Sequence, residues 1–309
     1  MAFLKDELSG FVPTETATEI QGLVARGSTV LRLGKTIPMT TEKKKVPVLT
    51  DGPGAYWVGE GERIQTSKAT WIFPELTAKK LAVIIPVTRE KLEDATVDVF
   101  EELKPVIAEA FYTAIDAAAL FGTASPFAKN VFAVAEAAEN VIVDGTNKSL
   151  DLDVSDTMAM VEINCDVNGF AAHYGIKNSL RKLRDNNGNA LYVPDTDTDK
   201  MYSEPIEFSR NNAWDKSKAE LIAGDWDKLL VGVKDDIEYE ILKEATLQNT
   251  LDADGKPLSL AEQDMVAIKA TMRIAVLPIK DDAFAVLVPA EYNAGTAGDD
   301  NSGDEEGTV

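Results

Sequence analysis

Apolar positions along this chain change period several times, and each change marks an element. Residues 1 to about 40 mix short apolar runs, such as EIQGLVARGSTVLRLG, with no sustained period. They are expected to form an extended arm with one short helix over 20–24, broken at Gly27. Residues 41–77 read as a two-stranded excursion. KVPVLT runs out, Asp51-Gly52-Pro53-Gly54 reverses it, and AYWVGEGERIQTSKATWIF returns. TAKKLAVIIPVT then carries the β-branched run of a well-buried strand, ended by Pro86.

A three-and-four spacing follows, through Leu92, Val99, Leu103, Ile107, Phe111, Ala114 and Ala118. With Thr88 as N-cap and Glu90, Glu93 and Asp94 behind it, the spacing predicts an amphipathic helix over 89–121, roughly 48 Å long at 1.5 Å per residue. Pro105 interrupts it near the middle. Residues 130–150 alternate like a hairpin, and a second helix is expected from Leu152 to about Asp166, capped by Ser155 or Asp156. GFAAHYGIKNSLRKLRDNNGNALYVP reads as strand, helix, turn and strand. Strand signals dominate from 221 onward, with 260–279 open between helix and strand and 283–290 as the last strand. The segment 291–309 lacks apolar anchors and is expected to be disordered.

Composition narrows the chemistry. Apolar content of 45% over 309 residues suits a soluble protein of about two domains, and no apolar run approaches the 18 or so residues that span a bilayer. A net charge of −21, with six acids and no Lys or Arg from Glu291 onward, disfavours tight phosphate binding. A single cysteine, Cys165, excludes an internal disulfide and fits a reducing compartment. With one cysteine and one histidine, His173, a zinc site or a Cys-His nucleophile is disfavoured. No phosphate-binding, dinucleotide or hydrolase motif is present, so neither cofactor nor metal nor catalytic residue is assigned. DTDTD (195–199) and DADG (252–255) lack the remaining ligands of a calcium loop. RKLR (181–184) is expected to be a salt-bridged helix face, and Lys43-Lys44-Lys45 a charged strand edge. A monomeric hydrolase built on carboxylates such as Asp225 and Asp227 is the competing enzyme hypothesis.

The succession of elements from about Phe11 to Pro289 resembles the major capsid proteins of tailed double-stranded DNA bacteriophages, with the Hong Kong 97-type fold. Residues 43–98 are similar to that family's arm, extended loop and approach to its spine helix, and VFEELKPVIAEAFYTAIDAAALFGTAS to the spine helix itself. GIKNSLRKLRDNNGNALYVP, LIAGDWDKLLVGVKDDIEYEI and MRIAVLPIKDDAFAVL resemble its later stretches. The resemblance implies an α+β fold: arm 1–40, extended β-hairpin loop 41–77, and peripheral domain 78–150 with spine helix 89–121, completed by strands near 266–280. An axial domain, 151–265, with closing strand 281–290, would follow. It also implies a non-enzymatic protein that self-assembles into pentamers and hexamers enclosing DNA, in a virion assembled in a bacterial cytoplasm. A separate scaffolding protein, a portal and decoration proteins would be partners. Intersubunit contacts would fall on Tyr56, Trp57, Val58, Arg63, Lys68 and Trp71 of the loop, and on Leu23, Val30, Leu31 and Leu33 of the arm, with Pro105 as a helix hinge. Exposed aromatics on a marginally stable hairpin agree, because they need a neighbour to cover them. An encapsulin-like cellular compartment is the alternative on the same fold.

Overall fold

In the computed structural model, residues 22–63, 66–90, 99–147, 149–184, 187–189, 200–209, 211–251 and 255–292 are described. The chain divides into two units, 1–130 with 227–280, and 131–226 with 281–309. Both mix helix and sheet. The first opens with helix α1 (22–27) and α2 (Thr29–Leu33), then β1 (Lys35–Pro38), β2 (Lys43–Lys45) and β3 (Val48–Asp51). β4 (Thr70–Ile72), β5 (Glu75–Thr77), β6 (Lys79–Thr88) and the long helix α3 (Val99–Asp116) follow. α3 runs into a π-helical turn, Ala117–Phe121, and ends at Gly122, whose φ of 72° is the left-handed cap that favours glycine. The second unit contributes α4 (Val131–Ala137), β7 (Val141–Val143), α5 (Leu150–Glu162), β8 (Gly169–His173) and α6 (Ile176–Lys182). β9 (Lys200–Met201), β10 (Glu204–Ser209) and β11 (Leu221–Gly224) complete its first passage. The chain then returns to the first unit for β12 (Leu229–Leu242), β13 (Thr246–Leu251), β14 (Pro257–Ser259) and β15 (Met265–Pro278). β16 (Phe284–Val288) closes the second.

The first unit is organised by one long antiparallel pair. β12 and β15 run together from Leu229↔Pro278 to Leu242↔Ala267, and β1 and β6 flank them in the order β1-β12-β15-β6. The undecided segment 260–279 is therefore strand over most of its length. Residues 227–265, assigned from sequence to the axial domain, sit in the first unit because their partners are the early strands β1 and β6 through β15. Pro86 does not end its strand. β6 continues to Thr88 with Pro86 opposite Ala267, because β6 is an edge strand, where a missing N–H is tolerated. The same edge position leaves β6 only half-buried.

The arm is docked more firmly than its composition suggests. Gly27 lies in α1, where a Cβ would meet the Tyr112 ring at 2.2 Å, and the helix breaks one residue later at Ser28. Ser28 Oγ donates to Asp116 Oδ1 at 2.6 Å and accepts from Leu31 N at 3.1 Å. Thr29 N and Val30 N donate to the same carboxylate at 3.0 and 3.2 Å. Asp116, fully buried, thus caps a helix 86 to 88 residues away in sequence.

The second unit is a six-stranded mixed sheet, β7-β16-β11-β8-β10-β9. Its central strands β11 and β16 are buried at every position, and helices α4 and α5 pack on β16. The expected hairpin over 130–150 is instead α4 followed by β7, since Val131, Phe132, Val134 and Ala135 bury one helical face. α5 starts at Leu150 behind Ser149, earlier than expected, and stops at Glu162. Gly224-Asp225-Trp226 is a joint. A Cβ on Gly224 would strike Phe284 at 2.4 Å, and the Trp226 indole stacks edge-on against Phe284 and donates to Gly169 O at 3.0 Å. The turn and strand expected at 185–194 lie largely outside the described residues, as do 195–199 and 293–309.

Two outcomes test this account. Asp116→Ala strands two buried amides and should cost on the order of 3 kcal/mol. It should also speed hydrogen exchange at Thr29 and Val30, while Ser28→Ala does less. Burial raises the carboxyl pKa of Asp144 and of Glu220, with Asp153 adding repulsion at the first and Asp144 at the second. The folded chain then holds these protons more tightly than the unfolded one. Their contribution improves as pH falls from neutral toward the ordinary carboxylate range near about 4. Melting curves of Asp144→Asn with Glu220→Gln should show higher stability at pH 7 and a weaker gain on acidification.

Candidate functional site

The hairpin is assembled from its base outward. β2 pairs with β5, and β3 with β4, both antiparallel, so that 43–51 and 70–77 form one two-stranded ribbon. At the base Leu76 and Ala78 are buried against Met39, Leu230 and Ala275, which fixes the ribbon to the four-stranded sheet. A Cβ on Gly232 would meet Met39 Sδ at 2.3 Å, so the anchor requires glycine there. The three lysines of β2 lie on a paired strand. Lys43 Nζ meets Glu75 Oε1 at 2.7 Å, and Lys44 Nζ donates to Pro38 O at 2.7 Å. The hydrogen bond and charge of Lys43 hold the Glu75 carboxyl below its usual range, and Glu75 raises Lys43. Both groups are in open solvent, so the pair sets register more than stability.

Beyond the base the ribbon has no second layer from its own subunit. Leu49 faces Trp71 and Val48 faces Ile72, so apolar side chains occupy both surfaces. Leu49, Trp71, Ile72 and Phe73 are all exposed. In the connecting loop Gly54 N donates to Ser67 Oγ at 2.6 Å, and Glu62 closes a turn onto Gly59 across Gly61, φ 85°. Tyr56 and Val58 stand exposed on this loop, and Trp57 is 105% exposed, without cover from its own chain. Arg63 and Lys68 are exposed beside them. The ribbon thus brings together all six hairpin residues expected from sequence. It adds Leu49, Ile72 and Phe73, whose signal was the apolar alternation in VLT and TWIF.

The arm residues separate. Leu23 is exposed, and Leu31 and Leu33 are half-buried. Val30, expected as a contact for another copy, is sealed inside its own subunit, because α2 lies under the Asp116 clasp. Pro105 sits exposed within α3, and 91–98 lie outside the described residues. Residues named for other chemistry have local duties. His173 Nδ1 accepts from Gly175 N at 2.8 Å, and burial with nearby Lys216 lowers its pKa. Asp225 accepts from Asn168 Nδ2 at 3.1 Å, while Asn168 Oδ1 accepts from Trp226 N. Cys165 is a half-buried free thiol. Among the described residues no three His, Cys, Asp or Glu side chains converge to hold a metal ion, and no helix is long and apolar enough to cross a membrane.

Known proteins share both the sequence and this architecture. The chain is 37% identical over 289 residues to the major capsid protein of Staphylococcus phage 80alpha, spanning 93% of this chain and 88% of that one. A solved chain from Microbacterium phage Oxtober96 superposes with a TM-score of 0.73 at 30% identity, covering 85% of this chain and 91% of that chain. One from Mycobacterium phage Adephagia gives 0.71 at 28%, covering 85% and 90%. The family model described as the phage capsid family matches residues 9–288, and this chain belongs to that family.

Proposed function

We propose that this chain is the major capsid protein of a tailed phage, and that its copies associate into pentamers and hexamers to build the icosahedral head around double-stranded DNA. The observation that carries the shell mechanism is the uncovered ribbon. Tyr56, Trp57 and Trp71 are displayed on an anchored hairpin with no cover from their own subunit, and a neighbouring copy supplies that cover. In this reading the first unit is the peripheral domain of the Hong Kong 97-type fold, α3 with its π-turn is the spine helix, and the second unit is the axial domain. Pro105, which deprives the carbonyl four residues earlier of its helical donor, is the point where that helix bends as the shell matures. Leu23, Leu31 and Leu33 give the arm a smaller contact surface on an adjoining copy.

The role is structural rather than catalytic. A separate scaffolding protein, a portal and decoration proteins are the expected partners, assembly takes place in the host cytoplasm, and the finished protein resides in the virion. Net charge of −21 suits a wall that encloses DNA without gripping it. No observation favours a cellular compartment over a phage head, since the named relatives are major capsid proteins of phages.

Trp57→Ala is the direct test. Because Trp57 is uncovered in its own subunit, chemical denaturation of the unassembled variant should shift by no more than about 0.5 kcal/mol. Negative-stain microscopy and sedimentation should show shells reduced at least tenfold. Normal shells from Trp57→Ala together with Tyr56→Ala would remove the ribbon from the assembly mechanism. Hydrogen exchange along 99–121 checks the hinge. Protection should differ on the two sides of Pro105 between immature and expanded shells, and Pro105→Ala should level it.

A further inference from the structure

One basic surface in this acidic chain is not absorbed by the assembly account. Helix α6 turns Ile176 and Leu180 into the core of the second unit and presents Arg181 and Lys182 to solvent, with Arg184 just beyond. The salt-bridged face expected from sequence is not what the structure shows. Among the described residues no carboxylate pairs with Arg181, Lys182 or Arg184, and Arg184 Nη1 instead donates to the carbonyls of Arg181 and Leu183, at 2.7 and 2.8 Å. Between His173 and Arg184 there are four cations and no acid. Lys216 lies close enough to His173 to lower its pKa, and so adds charge at the same end of the sheet.

Strand geometry brings an anionic segment to this end. β8 and β16 both pair antiparallel with β11, so they run in the same direction. Ala172 and Leu287 both lie opposite Leu221. His173 N donates to Glu220 O and Glu220 N to Leu287 O, which puts the ends of β8 and β16 in one line, two strand spacings or about 10 Å apart. From the end of β8 the chain enters α6. From the end of β16 it runs to Tyr292, which is held by an edge-on contact with Phe132 and a 2.8 Å hydrogen bond to Glu136 Oε1. Beyond Tyr292, residues 293–309 carry Asp299, Asp300, Asp304, Glu305 and Glu306 and no basic residue. Seventeen residues can span at most about 58 Å, well beyond the distance between the two strand ends. A tether this short also keeps the acids at millimolar effective concentration around the helix.

We propose that the acidic segment 293–309 docks on the basic face of α6 in its own subunit, with Arg181, Lys182 and Arg184 receiving the carboxylates of 299–306. The carboxyls built into that sheet end do not compete strongly. Asp144 and Glu220 are pushed by burial toward the neutral form, and Asp153 is enclosed by the amides of Gly145 and Asn147. Docking of this kind covers a cationic surface that would otherwise attract any polyanion, including the nucleic acid a head contains. The inference rests on charge and strand order within one unit and stands whether or not the hairpin drives assembly.

Zero-length carbodiimide coupling followed by peptide mapping tests it on the full chain. Amide links should form between Lys182 or Lys177 and the acids of 299–306. In a mixture with isotope-labelled protein they should join residues of like label only. Their yield should fall roughly fivefold or more in 1 M salt, where the screening length shrinks to about 3 Å. Arg181→Glu with Arg184→Glu retains Lys182 as reporter and should lower the yield to a similar extent, with an unchanged circular dichroism spectrum. Links made chiefly to Lys43, Lys44 or Lys45, links between differently labelled chains, or yields indifferent to salt and to charge reversal would overturn the proposal. So would duplex DNA binding to the full chain that is abolished by the charge reversal but unaffected by deletion of 293–309, since that surface would then be open to phosphate.

Discussion

Two antiparallel strands that project from a sheet have two faces to cover and no second layer with which to do it. Most subunits solve this by making such strands polar. Here the ribbon places Leu49 opposite Trp71 and Val48 opposite Ile72, so whichever face turned inward, the other would remain apolar. A fully covered side chain of this size contributes about 1.5 to 3 kcal/mol. None of that is collected by the isolated chain at Trp57. The gain becomes available on association, where it must first offset lost translational and rotational freedom of at least about 4 kcal/mol. A closed lattice suits that arithmetic, since each subunit both covers a ribbon and has its own covered.

An arm that projects is useful only if its root does not yield. Leu76 and Ala78 lock the ribbon to Met39, Leu230 and Ala275, and the long β12–β15 pair behind them makes that sheet continuous through the first unit. The Asp116 clasp adds a second tie. It holds α2, and α2 leads directly into β1, which pairs parallel with β12 from Lys35↔Leu230 to Pro38↔Val233. Asp116 stands at the junction between α3 and the π-turn, where the helical register changes. The carboxylate that secures the arm is therefore placed where a change in the long helix would be felt.

The ribbon, the long helix and the closing strands were legible because they are local. A glycine-rich turn between alternating runs, a three-and-four spacing, and AFAVLVPA each carry their own signal. Other features depend on partners far away in sequence. Pro86 reads as a stop until its strand is known to lie at a sheet edge. Residues 229–242 read as continuing the preceding domain, and only their pairing with 265–278 and 35–38 returns them to the first unit. Asp116 is a lone acid among apolar helix positions, with nothing nearby to reveal that its donors lie more than eighty residues upstream. Residues 131–137 were obscured by the alternation that follows them, although the valine and phenylalanine positions bury a single helical face.

Charge is the remaining constraint on a protein that must meet its own copies. At −21 per chain, identical subunits repel wherever acidic surfaces approach, over a range of about 8 Å at physiological ionic strength. Repulsion that is diffuse and screened opposes association weakly, while apolar contact is short-ranged and strong where surfaces fit. The balance favours contact through a projecting ribbon, because a narrow arm reaches a neighbour without bringing the bulk of two acidic bodies together. Lys43, Lys44, Lys45, Arg63, Lys68, Lys79 and Lys80 lie on or beside that ribbon, so the part of the chain that must approach another copy is also a concentration of positive charge. Apolar display and local charge thus act in the same direction at the same place, and neither requires the body of the subunit to be anything but acidic.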